Sequence, residues 1–276
     1  MRYKIVFVTL MLLGLLQTAG AQQDPVQYWH HSWENVGGQD RVTNYSSLCN
    51  NYKVLDASTS LSDSHDFGVG DNPEWDNGGY KWVVVKGEVT ISRLIVKGEG
   101  HLILTDGSHL VCSDGVVLQG DGNSLSIYSQ SSGDQEGRLE AKLSQSKYKY
   151  NAAIGCIDDY EVNGSPGGMG TLVIHGGVIT ATGNNRAAGI GGGEDRGIQP
   201  NGSVTIYGGN VTATGGFKAA GIGGGYDAGQ GGPVTIYGGT VTATGGEWAA
   251  GIGGGARYFN GGYGGEVKMY GGNVTA

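Results

Sequence analysis

Basic residues are scarce in this sequence, and their scarcity narrows the classes of partner it can have. The 276 residues include 17 Lys and Arg against 25 Asp and Glu, which gives a formal net charge of −8. An acidic, sparsely charged surface argues against nucleic acids and anionic membranes as partners. The apolar residues also lack the 3.6-residue period of helices, which excludes a stacked array of helical repeats.

Cysteine is scarce too, which bears on disulfides and metals. The chain has three cysteines, an odd number for an exported protein, and their spacing matches no metal-binding motif. Cys112 and Cys156 stand where apolar strand or corner residues are expected, so buried free thiols are the simplest interpretation. A disulfide among Cys49, Cys112 and Cys156 stays open.

A single segment is apolar enough for a targeting role, and it lies at the N-terminus. Met1–Lys4 is basic, Ile5–Leu16 is apolar, and Ala19–Ala21 fits a signal-peptidase site with cleavage before Gln22. The apolar run is too short to span a membrane as a helix. Residues 1–21 are therefore predicted to be a signal peptide. We expect a secreted or cell-surface protein that does not insert into the membrane.

Glycine, in contrast, is abundant, with 56 residues of 276 against a usual share of ~7%. The glycines recur in a repeated segment: LVIHGGVITATGNNRAAGIGGG at 172–193, VTIYGGNVTATGGFKAAGIGGG at 204–225 and VTIYGGTVTATGGEWAAGIGGG at 234–255. A partial copy starts at Val267, and a degenerate one lies at Ala152–Cys156. A period of this length indicates a stacked repeat architecture.

Apolar side chains alternate within each copy, as they do in strands. Val204 and Ile206 share one parity, and Tyr207 takes the other. Gly-Gly pairs supply the bends between short strands. One copy cannot bury its apolar face alone, but stacked copies can, at roughly 4.8 Å per coil. The sequence thus predicts an all-β protein, a right-handed parallel β-helix or β-solenoid. The predicted inward ladders are Val204/Val234/Val267 and Ile206/Ile236/Met269.

The rest of the chain is predicted to belong to the same domain. Residues 22–80 are polar and aromatic without a repeat, and we expect an irregular N-terminal cap there. An aromatic ligand site built from Trp29, Trp33 and Trp75 is the alternative.

Residues 81–150 are predicted to form irregular first coils followed by a polar loop. The predicted strands are Trp82–Val85, Val89–Ile91, Arg93–Val96, His101–Leu104, His109–Cys112, Val116–Leu118 and Leu125–Tyr128. Ser131–Tyr150 reads as the loop. Residues 151–276 hold the regular repeats, and because the last copy breaks off at Ala276 we expect the natural protein to be longer.

The repeated run VTIYGGxVTATGGxxAAGIGGG resembles the Gly-rich β-helical repeats of large secreted and surface proteins of bacteria. The segment from Val83 to Tyr128 is similar to the irregular first coils of such proteins. The resemblance covers residues 82–276 and implies the architecture. It also implies an adhesin-like or glycan-associated function, and it brings no catalytic residues with it.

Two sets of side chains are candidate ligand contacts. Stacking the copies would align an outward strip of aromatic rings, formed by His175, Tyr207, Tyr237 and Tyr270. Sugar rings pack their C–H faces on aromatic rings, so such a strip suits a polysaccharide, although like-on-like ladders also stabilise coils. Phe217 and Trp248 fall in the pair that varies before each AAGIGGG, where binding specificity could lie. We predict a non-enzymatic protein that binds a polysaccharide or a cell-surface glycan through these six residues.

Two other functions stay open at this point. Polysaccharide lyases and hydrolases use β-helices, but they need clustered carboxylates, and the acidic residues here do not recur at equivalent coil positions. If this chain belonged to such an enzyme, its catalytic coil would lie outside the visible repeats. We expect no cofactor. Ca²⁺ bound at Glu194, Asp195 or Asp227 is a weak alternative, since the nonapeptide calcium motif is absent. The Thr-Ala-Thr segments would align two threonine ladders that resemble those of ice-binding solenoids.

Overall fold

The chain folds into strands joined by tight corners. A computed structural model describes residues 24–36, 39–58, 74–75, 81–118, 120, 122–143, 150–156, 168–195, 198–227, 230–258 and 262–276. Its strands are β1 Val26–Val36, β2 Gln39–Cys49, β3 Lys53–Leu55, β4 Glu74–Trp75, β5 Trp82–Val85, β6 Glu88–Ile91, β7 Leu94–Val96, β8 Glu99–Leu104, β9 His109–Cys112, β10 Val116–Val117, β11 Ser124–Ser129, β12 Arg138–Lys142, β13 Ile154–Gly155, β14 Met169–Ile174, β15 Val178–Thr182, β16 Ile190–Gly191, β17 Ile198–Ile206, β18 Asn210–Thr214, β19 Ile222–Gly223, β20 Val234–Ile236, β21 Thr240–Thr244, β22 Ile252–Gly253, β23 Val267–Met269 and β24 Asn273–Thr275.

These strands form three stacks of parallel strands, which are the faces of a right-handed parallel β-helix. Sheet 1 runs β3-β5-β8-β11-β14-β17-β20-β23, sheet 2 runs β6-β9-β12-β15-β18-β21-β24, and sheet 3 runs β4-β7-β10-β13-β16-β19-β22. Each coil passes from sheet 1 to sheet 2 and then to sheet 3, as β17, β18 and β19 do. The predicted fold class is confirmed.

The core fills the space between the three sheets, and alternation decides which side chains enter it. Val204 pairs with Val234 and Ile206 with Ile236, and all four are buried in one continuous cluster. Those two predicted inward ladders are confirmed. Their last members, Val267 and Met269, pair in the same register but are exposed. Sheet 3 contributes one isoleucine per coil, since Ile154, Ile190, Ile222 and Ile252 pair in series.

The second glycine of each GIGGG segment is dictated by the stacking distance. Gly191 and Gly223 adopt φ values of +136° and +138°, which side-chain-bearing residues rarely adopt. A Cβ on Gly191 would lie closer than 3.0 Å to the carbonyl oxygen of Gly223 in the next coil, and Gly223 stands in the same relation to Gly253. Glycine therefore sets the closest approach of consecutive coils at this corner.

The seven strands predicted between residues 82 and 128 all appear as β5 to β11, with ends that shift by at most two residues. The polar loop predicted at Ser131–Tyr150 is wrong in part, because Arg138–Lys142 forms β12 of sheet 2. Leu139 and Ala141 point inward there, in register with Ile179 and Ala181 of β15. Charged side chains flank and separate these two apolar residues, and for that reason the segment resembled a polar loop in the sequence.

The N-terminal region covers a face of the solenoid as well as starting it. Within the range predicted as a cap, β3 and β4 are strands of sheets 1 and 3. β1 and β2 form an antiparallel hairpin with eleven paired positions, Val26↔Cys49 to Val36↔Gln39. We call this element the hairpin. It joins the outer face of sheet 1 through the Trp29↔Ser129 pair.

A second apolar cluster fixes the hairpin to sheet 1. It contains Val26, Cys49 and Tyr52 from the N-terminal region and Val84, Ile103 and Tyr128 from sheet 1. Val84 and Ile103 are fully buried on the outer side of sheet 1, while their neighbours along the strand face the core. Sheet 1 is therefore covered on both sides in these coils, which explains the continuous apolar runs Val83–Val85 and Leu102–Leu104.

The cysteines and the targeting segment complete the comparison with the sequence. Cys49, Cys112 and Cys156 are buried and free, so none of them forms a disulfide. The predicted signal peptide and the side chains of Trp33 and Trp75 lie outside the described residues. A search of the described part of the chain finds no helix with the length and apolarity needed to cross a membrane.

Candidate functional site

The predicted aromatic strip exists and is longer than expected. Rings of Tyr128, His175, Tyr207, Tyr237 and Tyr270 stack along the outer edge of sheet 1, with successive centroids 4.7, 5.1, 4.8 and 4.9 Å apart. Their planes diverge by 9° at most. We call this column the aromatic ladder. Tyr128 follows Ile127 as Tyr207 follows Ile206, so both tyrosines take the same outward position of the strand alternation. This shared position is the sequence signal that could have revealed Tyr128.

The stacking changes what the aromatic ladder can offer to a ligand. Parallel rings at the coil spacing cover one another's faces, so Tyr207 and Tyr237 each lie between two neighbours. A sugar ring needs an open aromatic face for C–H contact, and the inner rings present their edges outward. The aromatic ladder therefore serves first as a packing device that joins consecutive coils.

The hairpin lies against the upstream half of the aromatic ladder. Tyr28 contacts Tyr128 edge-on, with centroids 4.8 Å apart. The ring of His31 lies parallel to the rings of His175 and Tyr207, 5.8 and 5.9 Å from their centroids. The His31 backbone N–H donates to His175 Nδ1 across 3.0 Å. This contact leaves the proton of a neutral His175 on Nε2.

His175 and Tyr128 of the aromatic ladder are uncharged at neutral pH. Burial, aided by the nearby His31, His30 and His101, lowers the pKa of His175 to about 3. Burial likewise raises the pKa of Tyr128 to about 12. A charged imidazolium would lose its hydration between the stacked rings, and for that reason the neutral form is retained.

Phe217 and Trp248 lie at a different corner from the aromatic ladder. The sequence placed them beside the tyrosine strip, but sheet 2 separates the two sets, and its five-residue strands span roughly 16 Å. Phe217 and Trp248 follow sheet 2, at its corner with sheet 3, and are 45% and 75% exposed. The variable residues therefore face solvent with open rings, unlike those of the aromatic ladder.

A lysine organises this corner. Lys218 Nζ lies 4.6 Å from the ring centroid of Trp248, 5.1 Å from that of Phe217 and 5.3 Å from that of Tyr226. Such distances are those of cation–π contacts. We call Phe217, Lys218, Tyr226 and Trp248 the corner patch. Both Lys218 and Trp248 have φ of +64°, an uncommon backbone conformation for bulky side chains.

The corner patch continues into neighbouring coils. Arg186 lies 4.9 Å above the Tyr226 ring and pairs with Glu194 at 2.5 Å, and the pKa of this guanidinium is raised by the hydrogen bond to Glu194. Tyr258, 72% exposed, lies 6.2 Å from Tyr226. Three consecutive coils thus present aromatic rings and a cation on one edge.

The threonines predicted as two ladders do align on sheet 2. Thr180, Thr212 and Thr242 pair in series, as do Thr182, Thr214 and Thr244. They occupy the outer face between the aromatic ladder and the corner patch. Upstream, Glu140 and Lys142 take the same two columns, and there the threonine surface ends.

The acidic residues considered for calcium or catalysis are dispersed. Glu194 is engaged by Arg186, whereas Asp195 and Asp227 sit at successive loop positions with positive φ. Asp158 and Asp159 lie outside the described residues. Within the described ranges, no three His, Cys, Asp or Glu side chains approach closely enough to hold a metal ion.

The hairpin also forms one wall of a groove that the sequence did not reveal. Its volume is about 390 Å³, and its lining comprises Trp29, His31, Asn44, Ser129, Ser131, Ser132, Glu136, His175, Gly208, Gly209 and Gly239. Two signals could have revealed the hairpin: the Gly37-Gly38 pair between two long segments, which suits a two-residue turn, and the doubly apolar runs of sheet 1.

Comparison with protein families agrees with this architecture. A family model described as a beta helix repeat matches residues 172–194, 204–226 and 234–256. This is a β-helical repeat protein. Searches of curated proteins and of solved structures give no match.

The matched repeats of this β-helical repeat protein contain both candidate surfaces. Each repeat begins on sheet 1, passes the aromatic-ladder position and ends just after the GIGGG corner. The repeat at 204–226 supplies Phe217, Lys218 and Tyr226, and the next one supplies Trp248. The exposed rings of Phe217 and Trp248 thus belong to the repeat unit, at positions where the copies differ, whereas Tyr226 is buried beneath Lys218 and Arg186.

Proposed function

We propose that this β-helical repeat protein acts outside the cell or on its surface and binds a polysaccharide through the corner patch. The observation that carries the proposal is Trp248, which is 75% exposed beside Phe217, with Lys218 Nζ against both rings. Large aromatic side chains exposed side by side are typical of an interaction surface.

The chemistry of the corner patch suits a sugar chain. Open indole and phenyl faces take the C–H faces of pyranose rings, and the ammonium group donates hydrogen bonds to hydroxyl or carboxylate oxygens. The positions that carry these groups recur in consecutive coils at steps of roughly 4.8 Å. An extended polymer could then contact several coils at once, so that weak individual contacts add up.

Backbone geometry also supports a functional role for the corner patch. Residues held at sparsely populated φ values cluster at functional sites, because their strain is otherwise selected against. Lys218 and Trp248 both carry this cost, although a glycine at either position, after Gly216 or Gly246, would adopt the same φ without strain.

Affinity electrophoresis of the full-length protein tests the proposal. Gels would contain plant, animal or bacterial polysaccharides, and we expect retardation in at least one of them. Trp248→Ala and Phe217→Ala should each restore most of the mobility. Leu48→Ala is the matched control, since Leu48 is an exposed apolar residue of the hairpin, and it should leave the retardation unchanged. Equal mobility of all four proteins in every gel would rule out the corner patch as a polysaccharide site.

The same polymer separates binding from degradation. A retarding polysaccharide would be incubated with the protein and its chain length measured. We expect no shortening, because hydrolysis requires a pair of carboxylates flanking the bond and the corner patch offers aromatic rings and a lysine. Shortening of the polymer would favour the polysaccharide-degrading alternative.

A second candidate function rests on the threonine ladders. Two columns of threonines, one of four residues that ends at Thr275 and one of three, lie in register on a parallel sheet and resemble the surfaces of ice-binding solenoids. Thermal hysteresis of the concentrated protein would support this function, with Thr212→Lys abolishing it. Its absence would assign the threonines to sheet 2 as ordinary outward strand residues.

A further inference from the structure

The groove beneath the hairpin has the composition of a ligand site. Its volume of about 390 Å³ falls at the lower end of the range for small-molecule pockets, roughly 300–1,000 Å³. One wall is the hairpin, the opposite wall is the loop between β11 and β12, and three glycines lie along its base. Those glycines keep the base free of side chains.

The base glycines have a structural origin. Gly209 and Gly239 have φ of +85° and +83°, and a Cβ on either would meet the backbone of the preceding coil closer than 3.0 Å. The corner between sheets 1 and 2 therefore remains bare where the repeats from β14 onward stack. A groove forms there because the hairpin and the β11–β12 loop rise on both sides.

Polar groups in the groove are left with unused hydrogen-bonding capacity. Glu136 Oε1 accepts from the Gly177 backbone N–H at 2.8 Å and lies 3.4 Å from Ser129 Oγ, which holds the carboxylate in place. Its Oε2 makes no hydrogen bond to the described residues. His175 Nδ1 is occupied by the His31 N–H, so its Nε2–H remains as a donor.

Trp29 provides the apolar part of the site. It is 40% exposed at the edge of the groove, although its backbone is fixed by pairing with Ser129 and Ser46. An indole held in this way offers a stacking face at little entropic cost. The lining has one carboxylate and no lysine or arginine, which does not favour an anionic ligand.

We propose that this groove binds a single hexose residue, stacked on Trp29, with its hydroxyls held by Glu136 Oε2 and His175 Nε2–H. A carboxylate accepts from sugar hydroxyls, and the imidazole N–H donates to one. The serine hydroxyls and the Asn44 amide extend the same pattern. The inference rests on the proposed glycan-binding function and adds a second site to it, at the opposite edge of sheet 2.

Saturation-transfer NMR of the full-length protein tests the site. The probes are the methyl glycosides of D-glucose, D-galactose and D-mannose, which resemble the end unit of a glycan. We expect transfer to the ring C–H protons of one of them. Trp29→Ala should abolish it. Glu136→Gln, which keeps an acceptor for the Gly177 N–H, should weaken binding about tenfold.

Two controls separate this site from the corner patch. Leu48→Ala lies on the same hairpin and should bind the hexoside as the wild type does. Trp248→Ala removes an exposed ring of the corner patch, so hexoside transfer that persists in this variant arises at the groove. If Trp29→Ala disturbs the hairpin, Glu136→Gln still decides the matter, because its side chain keeps its structural hydrogen bond.

The outcomes are distinguishable. No transfer to any of the three glycosides, or transfer that both groove variants leave unchanged, overturns the groove site. Gel retardation that depends on Trp248 would then leave the proposed function intact. Transfer that depends on Trp29 without retardation in any gel supports the groove and overturns the corner patch.

Discussion

Some residues of this protein adopt backbone φ values that are unfavourable for residues with a side chain. Trp248 adopts φ of +64° with three quarters of its side chain in solvent. A buried core residue would recover such a cost through packing, but an exposed tryptophan recovers little of it. Lys218, at the equivalent position of the preceding repeat, has the same φ, so this corner holds both residues in the uncommon conformation.

Trp248→Gly should separate stability from binding. Glycine adopts positive φ freely, whereas the left-handed region costs other residues about 1 kcal/mol or more. We expect the free energy of unfolding, measured in urea, to stay level or rise by about 1 kcal/mol, while retardation in polysaccharide gels is lost. A clear loss of stability would mean that Trp248 is a packing residue.

His175 makes stability depend on pH. Its pKa is about 3 in the folded protein and 6.5 in the unfolded chain. Between these values the unfolded chain binds a proton that the folded protein does not bind, so the free energy of unfolding falls as the pH is lowered. The full contribution is present above pH 6.5, and the slope reaches about 1.4 kcal/mol per pH unit.

His175→Tyr places the ring of the other ladder positions at this site and removes the titration. The pH dependence of urea unfolding between pH 6.5 and 4 should become shallower. Losing the His31 N–H contact lowers stability equally at every pH, so the slope, not the level, is the diagnostic quantity. An unchanged slope would assign the acid sensitivity to His31 or His101, whose pKa values burial also lowers.

Among the elements, the hairpin is held to the solenoid mainly by side-chain contacts outside its own strand pair. A two-stranded hairpin is marginal alone in water, and here it is fixed by the cluster around Val84, Ile103 and Tyr128. The hairpin covers the upstream half of the aromatic ladder and forms a wall of the groove. Its docking therefore controls both features.

Ile103→Ala tests the docking of the hairpin. Ile103 is fully buried, and shortening such a side chain costs roughly 2–5 kcal/mol. Because Ile103 faces the hairpin and not the solenoid core, we expect amide exchange to accelerate in residues 26–49. Sheet 2 should keep its protection. Uniform acceleration across the chain would show that hairpin and solenoid unfold together.

Local sequence patterns predicted the positions of most strands, but they did not predict which elements pack against those strands from outside. The alternation around Val204 and Ile206 determines which side chains face inward, and the glycine pairs determine the corners, so sheets and ladders followed from the sequence. The docking of β1 depends on distant contacts such as Tyr28 with Tyr128, which no local pattern encodes. Similarly, β12 owes its register to its neighbours β9 and β15.

The candidate site was predicted in part for the same reason. The column of His175, Tyr207, Tyr237 and Tyr270 is a consequence of register and was foreseen. That their faces would be covered depends on the coil spacing, and that Phe217 and Trp248 would lie across sheet 2 depends on where each corner turns. Glu136 gave no sequence signal, since its role comes from the loop that brings it to Gly177.

At the scale of the whole molecule, stability is shared between neighbouring coils. In stacked repeats each unit is held by the interfaces above and below it. A clash between two coils in the centre of the array should therefore disrupt more than its own position.

Gly223→Ala introduces such a clash. The new Cβ would meet the carbonyl oxygen of Gly253 closer than 3.0 Å at φ of +138°. We expect a loss of more than about 4 kcal/mol or failure to fold, seen in soluble yield and urea midpoint. Gly264→Ala is the matched control, because nothing lies within 4 Å of its added Cβ. A small effect at Gly223 would mean that consecutive coils can separate.

The glycine columns have a further consequence for how such a protein can change over generations. Register is set at the corners and is the same in the repeats at 172–193, 204–225 and 234–255, so duplicating or deleting one whole repeat leaves each remaining residue of this array with equivalent neighbours. The length of the proposed binding edge then changes in whole-coil increments. Meanwhile, substitution at the Phe217 and Trp248 positions changes its chemistry without touching the core. The number of coils along this edge and the side chains that the edge presents can therefore change independently of each other.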